Sequence, residues 1–427
     1  MIKSKLLNSK EFKNAGWLIG GKVIQMLISF LISVFTTRYL GPSNFGIISY
    51  ANAYVAFFTS LCTLGINSVI IKDFADYPDE QGKTIGTTLG LRAVSSLLSA
   101  IMIISIVSIA DRGETETIVV AALCSISLIF QVSDTLNYWF QSKYLSKVSA
   151  VATLIAYIII SVYKIILLVM EKNVLWFAAA GAMDYFFIAV IMAIAYKRYS
   201  GPGLSFSWKK GKYLISKSYH YILSGMMVAI YGYTDKFMLK QMLDETSVGY
   251  YSLATTISGM WVFILTAIID SMYPSIINSH KADHEIFERK NRQLYAIVIY
   301  VSFFVSVLFM FFGEFAIYIL YGDEYLPAAE PLKIVTWYTA FSYLGVARNA
   351  WIVCENNQKY LKYMYFYAAA VNVVLNYFMI PIFGSSGAAY ASLITQICTS
   401  LILPCFFKEM RSNVKLMLQA FLLKGIK

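Results

Sequence analysis

Charged side chains are scarce in this sequence. Only 14% of its 427 residues are Asp, Glu, Lys or Arg, 58% are hydrophobic, and the mean hydropathy is +0.62. Because a soluble domain carries about 25% charged residues, this composition excludes a soluble protein. The apolar residues form blocks of about 20, the length at which a helix crosses a bilayer with its backbone polar groups paired. The sequence therefore predicts an all-α polytopic membrane protein.

The apolar blocks predict about twelve transmembrane helices. The first interruption is the brief stretch "TTRYLGPSNFG", Thr36 to Gly46. Pro42 suits the first turn of a new helix and Gly41 permits a sharp approach, so we interpret this stretch as a turn without chemistry of its own. The spans are predicted at residues 14–37, 43–70, 84–109, 115–139, 147–170, 174–196, 213–239, 247–275, 291–319, 330–354, 361–382 and 387–408.

Cysteine and histidine are also rare, at five and three residues. The cysteines lie inside predicted spans without a disulfide or ligand spacing, so we predict no metal site and no cofactor. His280 and His284, four apart in "HKADHE", form a candidate metal pair that lacks a third ligand in the sequence, and a solvated helix face is the favoured interpretation. The basic N-terminal segment runs into a full-length span without a cleavage site, so no cleavable signal peptide is predicted.

Long loops and nucleotide-binding motifs are absent from the sequence. The longest predicted loop is "KRYSGPGLSFSWKKGK", about 16 residues, which is too short for the nucleotide-sugar domain of a membrane glycosyltransferase. An O-antigen polymerase would be expected to have large outer loops with arginines, which this chain also lacks. No Walker sequence is present, so this chain is not expected to use ATP. We predict that the protein is not an enzyme.

The basic residues are distributed unevenly across the predicted membrane. With both termini inside, 24 lysines and arginines fall on the inner side and 4 on the outer side. By the positive-inside rule both termini are therefore cytoplasmic. This bias accounts for most of the net charge of +11, and we expect no nucleic-acid partner.

The chain contains a weak internal repeat. Tyr39–Ala51, "YLGPSNFGIISYA", aligns with Met242–Ala254, "MLDETSVGYYSLA", at a constant offset of 203 that pairs Gly46 with Gly249. Each copy follows the first span of a six-span half. We predict two lobes related by a pseudo-two-fold axis along the membrane normal, with a cavity between them. The predicted domains are an N-terminal lobe at 1–200, a cytoplasmic linker at 201–212 and a C-terminal lobe at 213–427.

Two stretches resemble polysaccharide flippases of the O-antigen (Wzx) type, in the superfamily that also holds multidrug and toxin extruders and lipid II flippases. These are "TTRYLGPSNFGIISYANAYVAFFTSLCTLGI" and "YTDKFMLKQMLDETSVGYYSLATTIS", Tyr233 to Ser258. The resemblance implies a V-shaped two-lobe fold in the bacterial cytoplasmic membrane. It also implies alternating-access transfer of an undecaprenyl-pyrophosphate-linked oligosaccharide to the outer leaflet. The implied partners are this lipid-linked substrate, membrane lipids and other polysaccharide-assembly proteins.

Basic residues inside the predicted spans are the candidate substrate-binding groups. Charges in hydrocarbon are costly and usually face a cavity or a partner, and cations can bind a pyrophosphate. Polar residues recur at helical spacing beside Lys22, Arg92 and Lys164. Arg92 lies deep in its span and is the preferred candidate, whereas snorkelling to the interface is an alternative for the others. We predict a cationic cavity formed by Lys22, Arg92, Arg348 and Lys164.

Acidic residues in the spans are candidates for ion coupling or for ion pairs, with H+ or Na+ as the coupling ion. Asp184 is the deepest, and an ion pair with Lys164 would explain it equally well. The other candidates, for which local pairing or capping is the alternative interpretation, are Asp235, Lys236, Asp270 and Asp134. A cation-exporting drug transporter is the alternative function. It is disfavoured because the first and third spans carry cations only.

Overall fold

A computed structural model of the protein describes the backbone of residues 10–426, and their side chains apart from those of residues 10–24, 27 and 68. Every regular element in this range is a helix. Nine stretches among the described residues are long and apolar enough to cross a membrane. Large apolar side chains also cover the surface: Ile109 is 79% exposed and Phe311 is 75% exposed. The all-α polytopic fold is confirmed, while the count of twelve spans stays a prediction.

The chain divides into two compact units. The first contains residues 1–40 and 47–229, and the second contains 41–46 and 230–427. The boundaries at 200 and 213 predicted from the linker stay a prediction. The helices of the first unit are α1 (Lys10–Thr63), α2 (Asn67–Asp76), α3 (Gln81–Ala110), α4 (Thr115–Phe130), α5 (Asp134–Ser142), α6 (Ser146–Val169), α7 (Val174–Arg198) and the first part of α8 (Trp208–Met242).

The second unit contains the end of α8 and nine further helices. A π-helical turn, Cys398–Ile402, connects two of them. Helix α12 packs against α9, α11 and α15, so it lies at the centre of this unit. The helices are α9 (Glu245–Gly259), α10 (Val262–Ala282), α11 (His284–Tyr321), α12 (Ala329–Ala347), α13 (Asn349–Cys354), α14 (Leu361–Phe383), α15 (Ser385–Ile397), α16 (Leu403–Phe406) and α17 (Arg411–Phe421).

The turn at Gly41 begins a short segment, residues 41–46, that belongs to the second unit. Gly41 has φ +70° and breaks α1 into two helices, a conformation that favours glycine. After it, Ser43 Oγ donates to Glu245 Oε1 at 3.2 Å, and the Phe45 and Tyr325 rings meet edge to face. The sequence predicted a turn here and did not predict these contacts.

The two copies of the repeat contact each other reciprocally within the second unit. A Cβ built on Gly46 would lie 1.8 Å from the carbonyl oxygen of Glu245, and one built on Gly249 would lie 2.1 Å from that of Pro42. Adding the offset of 203 residues converts Gly46 to Gly249 and Pro42 to Glu245, so each contact is the counterpart of the other. The two copies are therefore related by a local two-fold axis. The paired glycines therefore allow two helix starts to approach to backbone contact.

Glycines on one face of α3 allow close packing of the segment that precedes α8. Cβ atoms on Gly82 and Gly86 would meet the carbonyl oxygens of Gly203 and Ser205 at 2.2 and 2.5 Å. The two glycines lie four residues apart and so share one helix face, which packs against this segment. Beyond it, Lys210 Nζ forms a buried ion pair with Asp73 Oδ1 at 2.9 Å, which fixes the start of α8 on the first unit.

Candidate substrate and coupling sites

A cavity of about 350 Å³ lies inside the first unit, between α1, α4, α6 and α7. Apolar side chains form part of its wall, together with one cation and several hydrogen-bonding groups. Those polar residues are Asn52, Thr59, Ser127, Gln131, Lys164 and Tyr185. Such a lining suits a ligand that combines negative charge with hydroxyl groups.

Lys164 is the predicted cation that lines this cavity. It lies on α6 and is partly buried, and Asp184 on the neighbouring α7 is close enough to interact with it electrostatically. Asp184 Oδ1 is buried and accepts no hydrogen bond from the described residues. The structure therefore brings together two residues that the sequence analysis connected as an ion pair. The same observation fits an ion site, and both interpretations stay predictions.

Arg92 lies inside the helical bundle and is 1% exposed. Its Nη1 donates to Thr135 Oγ1 at 3.1 Å and to Asn67 Oδ1 at 3.4 Å. Its Nη2 donates to the carbonyl oxygen of Gln131 at 3.2 Å. Asp134 interacts with it electrostatically. In this conformation the guanidinium connects α2, α3 and α5, and its predicted contact with substrate stays a prediction.

Arg348 has a comparable environment in the second unit. It is 2% exposed and lies at the break between α12 and α13. Its Nη1 donates to the carbonyl oxygens of Thr399 and Ser400 at 3.3 and 3.4 Å. Both carbonyls belong to the π-helical turn Cys398–Ile402. Its role in substrate binding likewise stays a prediction.

Both arginines donate to backbone carbonyls where an α-helix is interrupted. The acceptor of Arg92 begins the short 3₁₀ turn Gln131–Ser133, and the acceptors of Arg348 lie in a π turn. Such turns change the α-helical pairing of carbonyls, which need other donors when buried in a membrane. We infer that each arginine stabilises a helix break, a role that the sequence analysis did not consider.

A buried carboxylate forms the most densely hydrogen-bonded polar cluster described in the second unit. Asp235 on α8 is 4% exposed. Its Oδ2 accepts from the Tyr251 hydroxyl and from Ser392 Oγ, both at 2.5 Å. Its Oδ1 accepts from Asn376 Nδ2 at 2.6 Å, which also donates to Asn372 Oδ1 at 3.1 Å. We call these five residues the Asp235 cluster; it connects α8, α9, α14 and α15.

The sequence predicted only part of this cluster. Asp235 is one of the acidic candidates, and Asn372 and Asn376 lie one helical turn apart on α14. No motif or residue spacing in the sequence indicates that Tyr251 and Ser392, which lie on two other helices, contact Asp235. The Oδ1 atom of Asn376 is buried and accepts no hydrogen bond from the described residues.

The remaining candidates have varied surroundings. Lys236 is partly buried beside Asp235, which interacts with it electrostatically, and Asp134 is the electrostatic partner of Arg92. Asp270 on α10 is exposed and has no such partner among the groups described here. The side chain of Lys22 lies outside the described residues. Their functional roles stay predictions.

Comparison with protein families identifies the chain. Residues 12–280 match the family described as "Polysaccharide biosynthesis protein", which is more than half of the sequence. The chain belongs to the polysaccharide biosynthesis protein family. The family resemblance based on the two motifs is thereby confirmed.

Two bacterial proteins align with almost the full chain. A Shigella flexneri protein described as an O-antigen transporter is 21% identical over 94% of this chain and 98% of its own length. The capsular polysaccharide biosynthesis protein CapF of Staphylococcus aureus is 20% identical over 93% of this chain and 99% of its own length. The chain is thus similar in length to both relatives.

The fold has a solved counterpart. The lipid II flippase MurJ, in an inward closed conformation, superposes with a TM-score of 0.72 over 95% of this chain and 91% of MurJ, at 13% identity. At this identity the likeness establishes a shared fold. This polysaccharide biosynthesis family protein is therefore an all-α multi-pass membrane protein with the same fold as MurJ.

Proposed function

We propose that the protein is a flippase for a polyprenyl-pyrophosphate-linked oligosaccharide. It would transfer this substrate from the cytoplasmic to the outer leaflet of the bacterial cytoplasmic membrane by alternating access, with both termini in the cytoplasm and without covalent chemistry. Support comes from the family, from relatives named for O-antigen transport and capsule biosynthesis and from the fold of a lipid II flippase.

The observation that supports this proposal most directly is Lys164 in the cavity of the first unit. Lys164 lines this cavity together with Asn52, Gln131 and Tyr185. A cation in a low-dielectric cavity attracts a phosphate, while neutral polar groups can bind sugar hydroxyls. A cationic drug would meet repulsion from the same ammonium, so this lining favours the anionic substrate.

Replacing Lys164 with glutamine should reduce flipping about 10- to 100-fold, because a charge-assisted hydrogen bond contributes about 1.5–3 kcal/mol. The measurement is the amount of lipid-linked repeat unit on the cytoplasmic face in a deletion strain complemented with each variant. Lys197→Gln is the matched control, since Lys197 is an exposed lysine in the last turn of α7 and should restore export fully.

Two results would contradict this proposal at different levels. If the deletion causes no accumulation of lipid-linked oligosaccharide, the substrate assignment is wrong and drug export becomes the better hypothesis. If deletion causes accumulation and Lys164→Gln removes that accumulation as well as wild type does, the protein is a flippase but Lys164 does not bind the substrate.

We further propose that the Asp235 cluster binds the coupling cation, H+ or Na+. A carboxylate, the amide oxygen of Asn372 and two hydroxyl oxygens lie together there in a buried site, with the amide nitrogen of Asn376 between the carboxylate and Asn372. Oxygen ligands suit both a proton and a hard cation. Because four helices contribute to the cluster, loading or unloading of one charge would change the restraints on all four. This gives a physical route from ion binding to helix movement.

Replacing Asp235 with asparagine should abolish the dependence of transport on the ion gradient and lower the rate by about tenfold or more, because the removed charge is the acceptor of three hydrogen bonds. Transport in proteoliposomes is measured with an imposed Na+ or pH gradient in turn. Asp79→Asn removes an exposed acid from the short turn before α3 and should behave as wild type. Retention of wild-type gradient dependence in Asp235→Asn would exclude this cluster as the coupling site.

A further inference from the structure

Three side chains with metal-binding atoms converge at one end of the second unit. His280 lies in the last turn of α10, His284 is the first residue of α11, and Glu355 follows α13 directly. His280 Nε2 lies 3.4 Å from Glu355 Oε1. One ligand atom from each of the three residues lies within 4.8 Å of the others.

One of the three distances fits a tetrahedral ion. With Zn–N and Zn–O bonds of about 2.0–2.1 Å, two ligand atoms of a tetrahedral site are separated by roughly 3.3 Å. The 3.4 Å separation of His280 Nε2 and Glu355 Oε1 is already close to that value. The ligand atom of His284 lies within 4.8 Å of the other two, and because 66% of its side chain is accessible, its ring has room to rotate toward them.

Glu355 provides the ligand that the sequence analysis lacked. It lies 71 residues beyond His284 in the sequence, so no local spacing indicates the connection. Its Oε1 atom is buried and accepts no hydrogen bond from the described residues. A buried carboxylate oxygen without a donor is costly, and a cation is a suitable partner for it.

The two histidines are held in place by the junction between α10 and α11. Asp283 is extended there and caps α11, since its Oδ1 accepts from the backbone N–H of Glu285 at 2.7 Å. The rings of His280 and His284 both pack on Phe287, with centroid distances of 4.8 and 5.8 Å. The two histidines therefore belong to two helices on either side of a cap rather than to one helix.

We propose that His280, His284 and Glu355 bind a divalent transition metal of the zinc type. Two imidazoles and one carboxylate are the protein ligands of several known zinc sites, and imidazole favours such metals over Mg2+ and Ca2+. The ion would connect the α10–α11 junction to the end of α13 and leave one coordination position for water. This inference does not depend on the proposed transport function.

The test is Zn2+ binding to the full-length protein, purified with a histidine-free tag, stripped with a chelator and placed in lipid nanodiscs. Isothermal titration should give one Zn2+ per chain, with excess Mg2+ not competing. His280→Ala, His284→Ala and Glu355→Gln should each weaken binding by at least about 100-fold, more than the loss of an indirect partner of a metal ligand causes. His220→Ala removes the third histidine of the chain, which is exposed on α8, and should bind Zn2+ as wild type does.

Two further readouts separate loss of a ligand from loss of structure. Without metal, Glu355→Gln should unfold at the wild-type temperature; with Zn2+, only wild type and His220→Ala should be stabilised. Co2+ should give the visible spectrum of a tetrahedral ion in wild type and lose it in the ligand variants. Wild-type Zn2+ affinity in Glu355→Gln or His280→Ala, absence of binding in wild type, or equal competition by Mg2+ would each overturn the proposal.

Discussion

Arg92→Ala is expected to destabilise the first unit by about 3–5 kcal/mol, the usual cost of removing one partner from a buried charge network. The substitution leaves Asp134 without its cation and removes the donors to Thr135 and to the carbonyl oxygen of Gln131. Arg92→Lys should recover only part of this stability, because a single ammonium cannot span acceptors that the planar guanidinium reaches together.

The free energy of unfolding from an SDS titration in micelles measures this effect. Lys197→Ala provides the control, since Lys197 is an exposed lysine in the last turn of α7, and its loss should change stability little. Arg92→Ala with wild-type stability and no transport would reverse our interpretation and restore Arg92 as a substrate-binding residue. Low stability with transport that scales with the amount of folded protein would support the structural role.

The sequence identifies Arg92 as important but not as a support for a helix break. Hydropathy and spacing predict where a span lies and which residues share a face of an ideal helix. The interruption at Gln131–Ser133 contains neither proline nor glycine, so no residue in it indicates that the helix stops. The carbonyl oxygen of Gln131 accepts both from Arg92 and from the backbone N–H of Asp134 within this interruption. Because the interruption lies in another part of the chain, the role of Arg92 could not be predicted from its own span.

The same limit applies to the clusters assembled from several helices. Asp235 is conspicuous in the sequence because an acid in an apolar segment is rare, but Tyr251 and Ser392 are ordinary residues for their spans. Glu355 resembles any acidic residue in a cytoplasmic loop until the junction near His280 is folded. The sequence does predict the helical class, the family motifs and the repeat. Each of these can be recognised from the residue pattern of individual segments, without knowing which helices pack together.

The second large effect is expected on protein stability, when either of the paired glycines of the repeat is substituted. Gly249→Ala should reduce the yield of folded protein sharply and cost more than about 3 kcal/mol, the upper end of ordinary overpacking. The new Cβ would lie 2.1 Å from the carbonyl oxygen of Pro42, and a backbone atom cannot move aside as a flexible side chain can. Because the contact is reciprocal, Gly46→Ala should have a similar effect, with a Cβ 1.8 Å from the carbonyl oxygen of Glu245.

Gly259→Ala is the matched control, since it changes another glycine of α9 whose added Cβ meets no atom within 4 Å. It should leave the yield unchanged, because alanine favours a helix by up to about 1 kcal/mol over glycine. Yield and melting temperature are followed by size-exclusion chromatography of the fluorescently tagged protein. The double variant should cost less than the sum of the two single variants, since one separation of the backbones relieves both clashes. Wild-type behaviour of Gly249→Ala, or full additivity in the double variant, would mean that the two copies of the repeat do not meet at these glycines.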